Sequence, residues 1–220
     1  MTIIPDNQFT KPFIESYQKL FRFIITSQTT MDGWSTPEKS CTLASLVLAN
    51  KPKIVAEIGV WGGKSLFPMA LACLENKSGL VIGIDPYDPK VSAADEFPDM
   101  SDWWENQDHS AMLKKFMDWN KYFKTEKIVQ LIRKKSDDVT PPDVIDILHI
   151  DGNHSEQAVR DAQRFCPKVS VGGFVIFDDL NWVGGGCLRA VDEAEAIGFK
   201  EIFRLTDNAG NNFNVMERVK

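Results

Sequence analysis

Apolar positions recur at helical spacing early in the chain and in short unbroken runs later. Ile14, Tyr17, Leu20, Phe21 and Ile24 share one face, which predicts an amphipathic helix from Ile14 to Ile25. A polar loop with Gly33 follows, then Ser35 or Thr36 as a cap for a second helix. Pro37 and Glu38 fit its first turn, and Cys41, Leu43, Leu46 and Val47 carry it to about Ala49. Five apolar runs then predict buried strands at Ile54–Ile58, Leu80–Asp85, Ile128–Ile132, Asp146–Asp151 and Gly172–Asp179. Helical patterns separate most of them, at Leu66–Ala72, Met112–Phe123 and Ala158–Phe165. A last helix, about Leu188 to Ala196, stops at Gly198. Phe199–Leu205 and Asn212–Arg218 flank a turn at Asp207–Asn211, a hairpin signature. Such alternation predicts an α/β fold: a mostly parallel sheet, helices on both faces, and an antiparallel C-terminal hairpin strand. Pro86 to Asp108 breaks the pattern. Rich in Pro and Asp, it reads as a lid or as partly helical.

A chain of 220 residues fits one domain, with 1–50 as a helical cap segment and 51–220 as the cofactor-binding core. Its net charge of −6 argues against a nucleic-acid partner, whose affinity needs a basic face. Cys41, Cys73, Cys166 and Cys187 are scattered without a C-x-x-C pair, which fits a reducing compartment. No apolar run is long enough to span a bilayer, and Met1 to Pro12 lacks a signal-peptide pattern. The expectation is a soluble cytoplasmic protein with no membrane partner. Its oligomeric state stays open, a homo-oligomer included.

The first strand runs into Gly59–Val60–Trp61–Gly62–Gly63–Lys64–Ser65 and then a helix. Strand, glycine turn and helix form a nucleotide-binding βα unit. A dinucleotide turn needs a second glycine where Trp61 stands. A P-loop needs its first glycine where Ile58 stands. What remains, E-x-G-x-x-G-G-x-S, resembles motif I of the class I S-adenosylmethionine-dependent methyltransferases. The strand–helix layout resembles their Rossmann-like sheet as well. That resemblance places Glu57, Gly59, Gly62, Gly63 and Ser65 around the amino-acid end of the cofactor. Asp85 closes the second strand, where an acid receives ribose hydroxyls. The same resemblance sets Ser136 and Asp137 beside the adenine amine.

Asp151 ends the fourth strand, and Asp178 with Asp179 ends the fifth. Ligands of a parallel sheet sit at the carboxyl ends of its strands, so these acids should converge. Three unpaired anions repel, and a bound cation relieves them. All-oxygen ligation favours a hard ion, Mg²⁺ before Ca²⁺ or Mn²⁺. The blander reading is that one or two of them cap helices.

His149–Ile150–Asp151–Gly152–Asn153–His154–Ser155 followed by Gly172–Gly173–Phe174–Val175–Ile176–Phe177–Asp178–Asp179 resembles the family of macrocin and related sugar O-methyltransferases. It is also similar to the metal-dependent catechol and caffeoyl-CoA enzymes, whose strand ends read D-x-x-K and D-N. The resemblance implies Asp151, Asp178 and Asp179 as metal ligands. His154 stands where the catechol type has its lysine base, and Asp179 replaces the Asn. The function implied is Mg-assisted methylation of a hydroxyl on a small molecule: a sugar, a phenol or a natural product. Either His154 or Asp151 takes the proton. His149 reads as a satisfied structural histidine, His109 falls in the lid segment with its role open, and Trp182 reads either as a pocket wall or as packing. Two rivals stay open: a nucleotide-dependent oxidoreductase and a catalytically silent cofactor-binding module.

Overall fold

Seven strands form one sheet in the order β3-β2-β1-β4-β5-β7-β6. The strands are β1 Ile54–Ile58, β2 Leu80–Ile84, β3 Val129–Ile132, β4 Ile145–Ile150, β5 Val169–Phe177, β6 Phe199–Thr206 and β7 Asn212–Arg218. This computed structural model describes residues 10–27, 29–94, 96, 98–206, 210 and 212–220. The first five strands are parallel; β7 runs antiparallel to β5 and β6. Of the predicted turn Asp207–Asn211, all but Gly210 lies outside the described residues, as does the start of the N-terminal segment.

Alternation along the strands builds two cores. Val55, Val81, Ile147 and Ile176 face one side; Ala56, Ile82, Leu148 and Val175 face the other. The first face is covered by helices α1 (Thr10–Ser27), α2 (Pro37–Asn50), α3 (Leu66–Asn76) and α6 (His109–Tyr122). The second carries α7 (Glu156–Phe165) and α8 (Gly186–Ala196). The expected class is therefore the observed one: a Rossmann-like, mostly parallel sheet with an antiparallel C-terminal hairpin strand. The N-terminal helices are part of the core. Ile24, Leu43 and Val47 are fully buried there.

The Pro86–Asp108 segment is partly helical, one of its two expected states, while two boundaries differ from the pattern. The segment after β2 holds two short helices, α4 (Pro89–Ala93) and α5 (Pro98–Glu105). Asp88 caps α4 by accepting the N–H groups of Lys90 and Val91. His109 is not in a lid loop; it is the first residue of α6, where Asp108 caps the helix. Strand β5 begins at Val169, so Gly172 and Gly173 lie inside it.

Register fixes where the chemistry gathers. Ile58 pairs with Ile84 and Ile150, and Ile150 pairs with Phe177. The next residue on each strand is Gly59, Asp85, Asp151 or Asp178, so all four leave the sheet at one level. The chain proceeds from β1 toward β2 and β3 on one side and takes up β4 and β5 on the other. The crevice above β1 and β4 is a topological switch point, where open α/β sheets bind ligands.

Candidate functional site

A cavity of about 580 Å³ opens over that switch point. Its size is that of a small-molecule or cofactor site. Gly59 forms part of its floor with φ +85°, and a Cβ there would lie 2.1 Å from the Asp151 carbonyl oxygen. Only glycine lets β1 turn so close to β4. Asp85 organises the same turn. Its Oδ2 accepts the N–H groups of Val60 (3.0 Å) and Trp61 (2.9 Å), and its Oδ1 accepts that of Tyr87 (2.8 Å). Burial pushes the Asp85 carboxyl up, and those three backbone donors oppose it.

The rest of the glycine motif stands behind the wall. Glu57 is fully buried, and Ser65 Oγ donates to its Oε1 at 2.8 Å. Gly62 backs onto the Asp32 carbonyl and Gly63 onto the Phe67 ring. Of the five motif residues, Gly59 and Ser65 line the cavity, and the Ser65 hydroxyl is committed to Glu57. Glu57, Gly62 and Gly63, expected around the cofactor, do not line the cavity; they support the loop that does. The P-loop-like Lys64 also lines the cavity, its ammonium donating to the Gly33 carbonyl at 3.1 Å.

Ser136 and Asp137 line the cavity as well. There Gln157 Nε2 donates to Ser136 Oγ (3.1 Å), Asp137 Oδ1 (3.2 Å) and Asp161 Oδ1 (3.0 Å). Gln157 and Asp161 are members that the sequence reading missed. Burial pushes the Asp161 carboxyl up to about 6.

The three strand-end acids do not act as one group. Asp178 is buried and Asp151 half-buried, and both face a cation already in the chain, Lys39 of α2. Lys39 Nζ donates to Asp178 Oδ2 and, at 3.1 Å, to Asp151 Oδ2. Burial alone would push the ammonium down, but the Asp151 and Asp178 carboxylates overcome this and push it up. One ammonium serves two carboxylates unequally. Burial would raise Asp178, yet Lys39 holds it below the usual carboxylate range. Burial and the neighbouring Asp178 charge hold Asp151 well above that range.

Asp179 is turned the other way. Its backbone takes φ +52°, unusual for a residue with a side chain, and its Oδ2 meets His154 Nε2 at 2.9 Å. His154 Nδ1 lies 3.2 Å from Glu96 Oε1, and Trp182 stacks on the imidazole at 4.1 Å between ring centroids. Burial alone would lower the His154 pKa, but hydrogen bonds to Asp179 and Glu96 push it up to about 10. At neutral pH this imidazole already carries its proton, so it is a poor general base. The sign for stability follows from a folded pKa above the ordinary imidazole value of about 6.5. The His154 contribution is complete below that value and is lost as pH rises through about 10. Urea denaturation of the wild type and His154→Asn should show a gap at pH 7 that closes above about pH 10. A gap constant across that window would refute the imidazolium.

The divalent ion expected from these acids can be tested against the side chains. His149, Asp151 and Asp178 offer donor atoms within 4.8 Å of one another. His149 is buried with Nδ1 3.3 Å from Glu57 Oε2 and Nε2 3.8 Å from Asp151 Oδ2, carboxylate neighbours on both sides, although neither contact has hydrogen-bond geometry. Yet Lys39 Nζ holds the carboxylate oxygens an ion would need, and Asp179 is committed to His154. A divalent ion about 4 Å from that ammonium would be repelled by about 8 kcal/mol at an effective dielectric of about 20. With Lys39 seated there, the residues do not fit a divalent cation.

Four tryptophans cluster on the cavity lining. Trp61 packs edge-on to Trp104 (5.2 Å) and stacks at 6.4 Å with Trp34, which meets Trp103 at 5.3 Å. They come from the polar loop, the glycine turn and α5, so only the fold reveals the cluster.

A family model described as a methyltransferase domain matches residues 56–180, more than half of the chain. No curated protein matches the sequence. Among solved structures, a putative O-methyltransferase from Klebsiella pneumoniae is similar at 12% identity and TM-score 0.62, over 99% of this chain and 93% of that one. The O-methyltransferase TomG from Streptomyces achromogenes, solved with S-adenosylmethionine, matches at 14% identity and TM-score 0.62 over 94% and 90%. The O-methyltransferase NovP matches at 22% identity and TM-score 0.61 over 83% and 79%.

Proposed function

The chain belongs to the family of methyltransferase domains, and on that premise we propose that it transfers the methyl group of S-adenosylmethionine to a hydroxyl of a small molecule. The observation that carries this reading is one cavity with two kinds of wall. One set of lining residues is Gly59, Asp85, Ser136 and Asp137; the other is Asp151, Lys39 and the tryptophans Trp34, Trp61, Trp103 and Trp104. The first suits an adenosine-bearing donor, whose ribose hydroxyls would meet Asp85. The second suits an acceptor with an ionisable O–H.

Asp151 is the residue proposed to take the acceptor proton. Its carboxyl is held above the usual range, so it is a better base than an ordinary aspartate. The acceptor oxygen attacks the sulfonium methyl as the carbon–sulfur bond breaks and the thioether leaves neutral. The chain mainly supplies proximity and orientation to this displacement. His154, as a fixed imidazolium between Asp179 and Glu96, shapes the acceptor wall with Trp182. A nucleotide-dependent oxidoreductase is not favoured, because Trp61 stands at the position where a dinucleotide turn needs its second glycine.

Calorimetry with S-adenosylhomocysteine and with NAD tests the donor. The intact protein should bind the former and not the latter, and Asp85→Ala should weaken binding by roughly 10–100-fold, the range for charge-assisted hydrogen bonds. No heat with S-adenosylhomocysteine, or a preference for NAD, would overturn the reading.

A further inference from the structure

We propose that the Lys39 ammonium is the resident cation of the acceptor site, in the place where three strand-end acids would otherwise call for a divalent metal. This rests on the methyltransferase reading and deepens it.

Three independent features of Lys39 carry the proposal. It is 4% exposed, a burial lysine rarely accepts without a dedicated partner. It stands in the first turn of α2, where the helix dipole disfavours a positive charge. Both penalties are accepted for a side chain that ends between Asp151 and Asp178, on the wall of the cavity. Its position is also prepared. Thr36 caps α2 by accepting the Lys39 N–H at 3.3 Å, and the hydroxyls of Ser35 and Ser40 pair at 2.8 Å across the same turn. The helix start is thereby fixed and aims Lys39 at the ends of β4 and β5.

The chemistry then balances without a metal. The acceptor O–H gives its proton to Asp151. The oxygen, gaining negative charge, is met by the Lys39 ammonium, which keeps its own proton throughout. The new oxygen–carbon bond forms as the sulfonium carbon–sulfur bond breaks. A fixed positive charge aimed at developing oxyanion charge does the electrostatic part of a metal's work.

The test is Mn²⁺ binding read by electron paramagnetic resonance, with and without S-adenosylhomocysteine. Wild-type protein should leave the free-ion signal unchanged at millimolar Mn²⁺. Lys39→Ala should take up about one equivalent, and adding Asp178→Asn should abolish that uptake. Wild-type uptake that is lost in Asp178→Asn would overturn the proposal, as would a folded Lys39→Ala that binds no Mn²⁺. If Lys39→Ala does not fold, the wild-type titration alone decides. Once an acceptor is found, turnover should also survive EDTA. Mn²⁺ uptake needs neither turnover nor donor binding, so its outcome is separable from that of the calorimetry.

Discussion

Lys39→Met should destabilise the fold by about 3–5 kcal/mol at pH 7, the range for removing one partner of a buried ion pair. Methionine keeps the length and apolar stem of the side chain, so the loss reports the charge. Without the ammonium, Asp178 and Asp151 face each other in a site where Asp178 is 4% exposed. The pH dependence has a definite sign. In the wild type Asp178 titrates below its unfolded value, so its contribution is present above about pH 3.9 and is lost as pH falls below that. In the variant both acids are raised by burial and mutual repulsion, so their penalty is relieved as pH falls toward about 4. The gap between the two proteins should therefore narrow on acidification. Urea denaturation at pH 7 and pH 5 measures it, and Lys39→Met/Asp178→Asn should recover most of the loss. A single variant within about 0.5 kcal/mol of wild type would mean that Lys39 does not neutralise these acids.

That lysine also marks the boundary of what the sequence could disclose. The βα unit, Asp85, Asp151 and Asp178 were legible because each is local: an apolar run, an abrupt acid, a turn. Parallel register then carries them to one level, and the switch point does the rest. The need for a cation beside clustered acids was likewise legible. Its source was not, because Lys39 lies 112 residues from Asp151 and 139 from Asp178 along the chain. A lysine in the first turn of a helix was the one available clue.

Other departures have similar causes. Strand alternation sends Glu57 behind the wall, to Ser65, although its motif position suggested the cofactor. The Asp88–Pro89 pair carried a cap-and-proline signal for α4 that the surrounding Pro-rich segment obscured. His154 looked like a base because its partners could not be seen. Glu96 and Asp179 approach it from two different segments, and together they make it a cation.

Asp151→Asn should lower methyl transfer by roughly 10²–10⁴-fold, the range for losing a positioned general base, while leaving the fold intact. The two effects separate because Asp151 is the surplus charge of its cluster. Lys39 and Asp178 still form a neutral pair when Asp151 is amidated. Removing the repulsion that raises Asp151 should leave stability at pH 7 unchanged or slightly higher. S-adenosylhomocysteine affinity should also be retained, since Gly59 contacts the backbone of Asp151 and not its carboxylate. The measurement is S-adenosylhomocysteine release with a panel of phenol and sugar acceptors, alongside urea denaturation and calorimetry. In the wild type, kcat/KM should rise with pH along an acid limb displaced upward from the ordinary carboxylate value of about 3.9. The limb should vanish in Asp151→Asn. Full turnover in this variant would remove Asp151 from the reaction. Lost turnover accompanied by lost stability would make it a structural residue instead. An active site that holds an ionisable group against its neighbours' charge gives up stability to do so, and that cost should be measurable at Asp151.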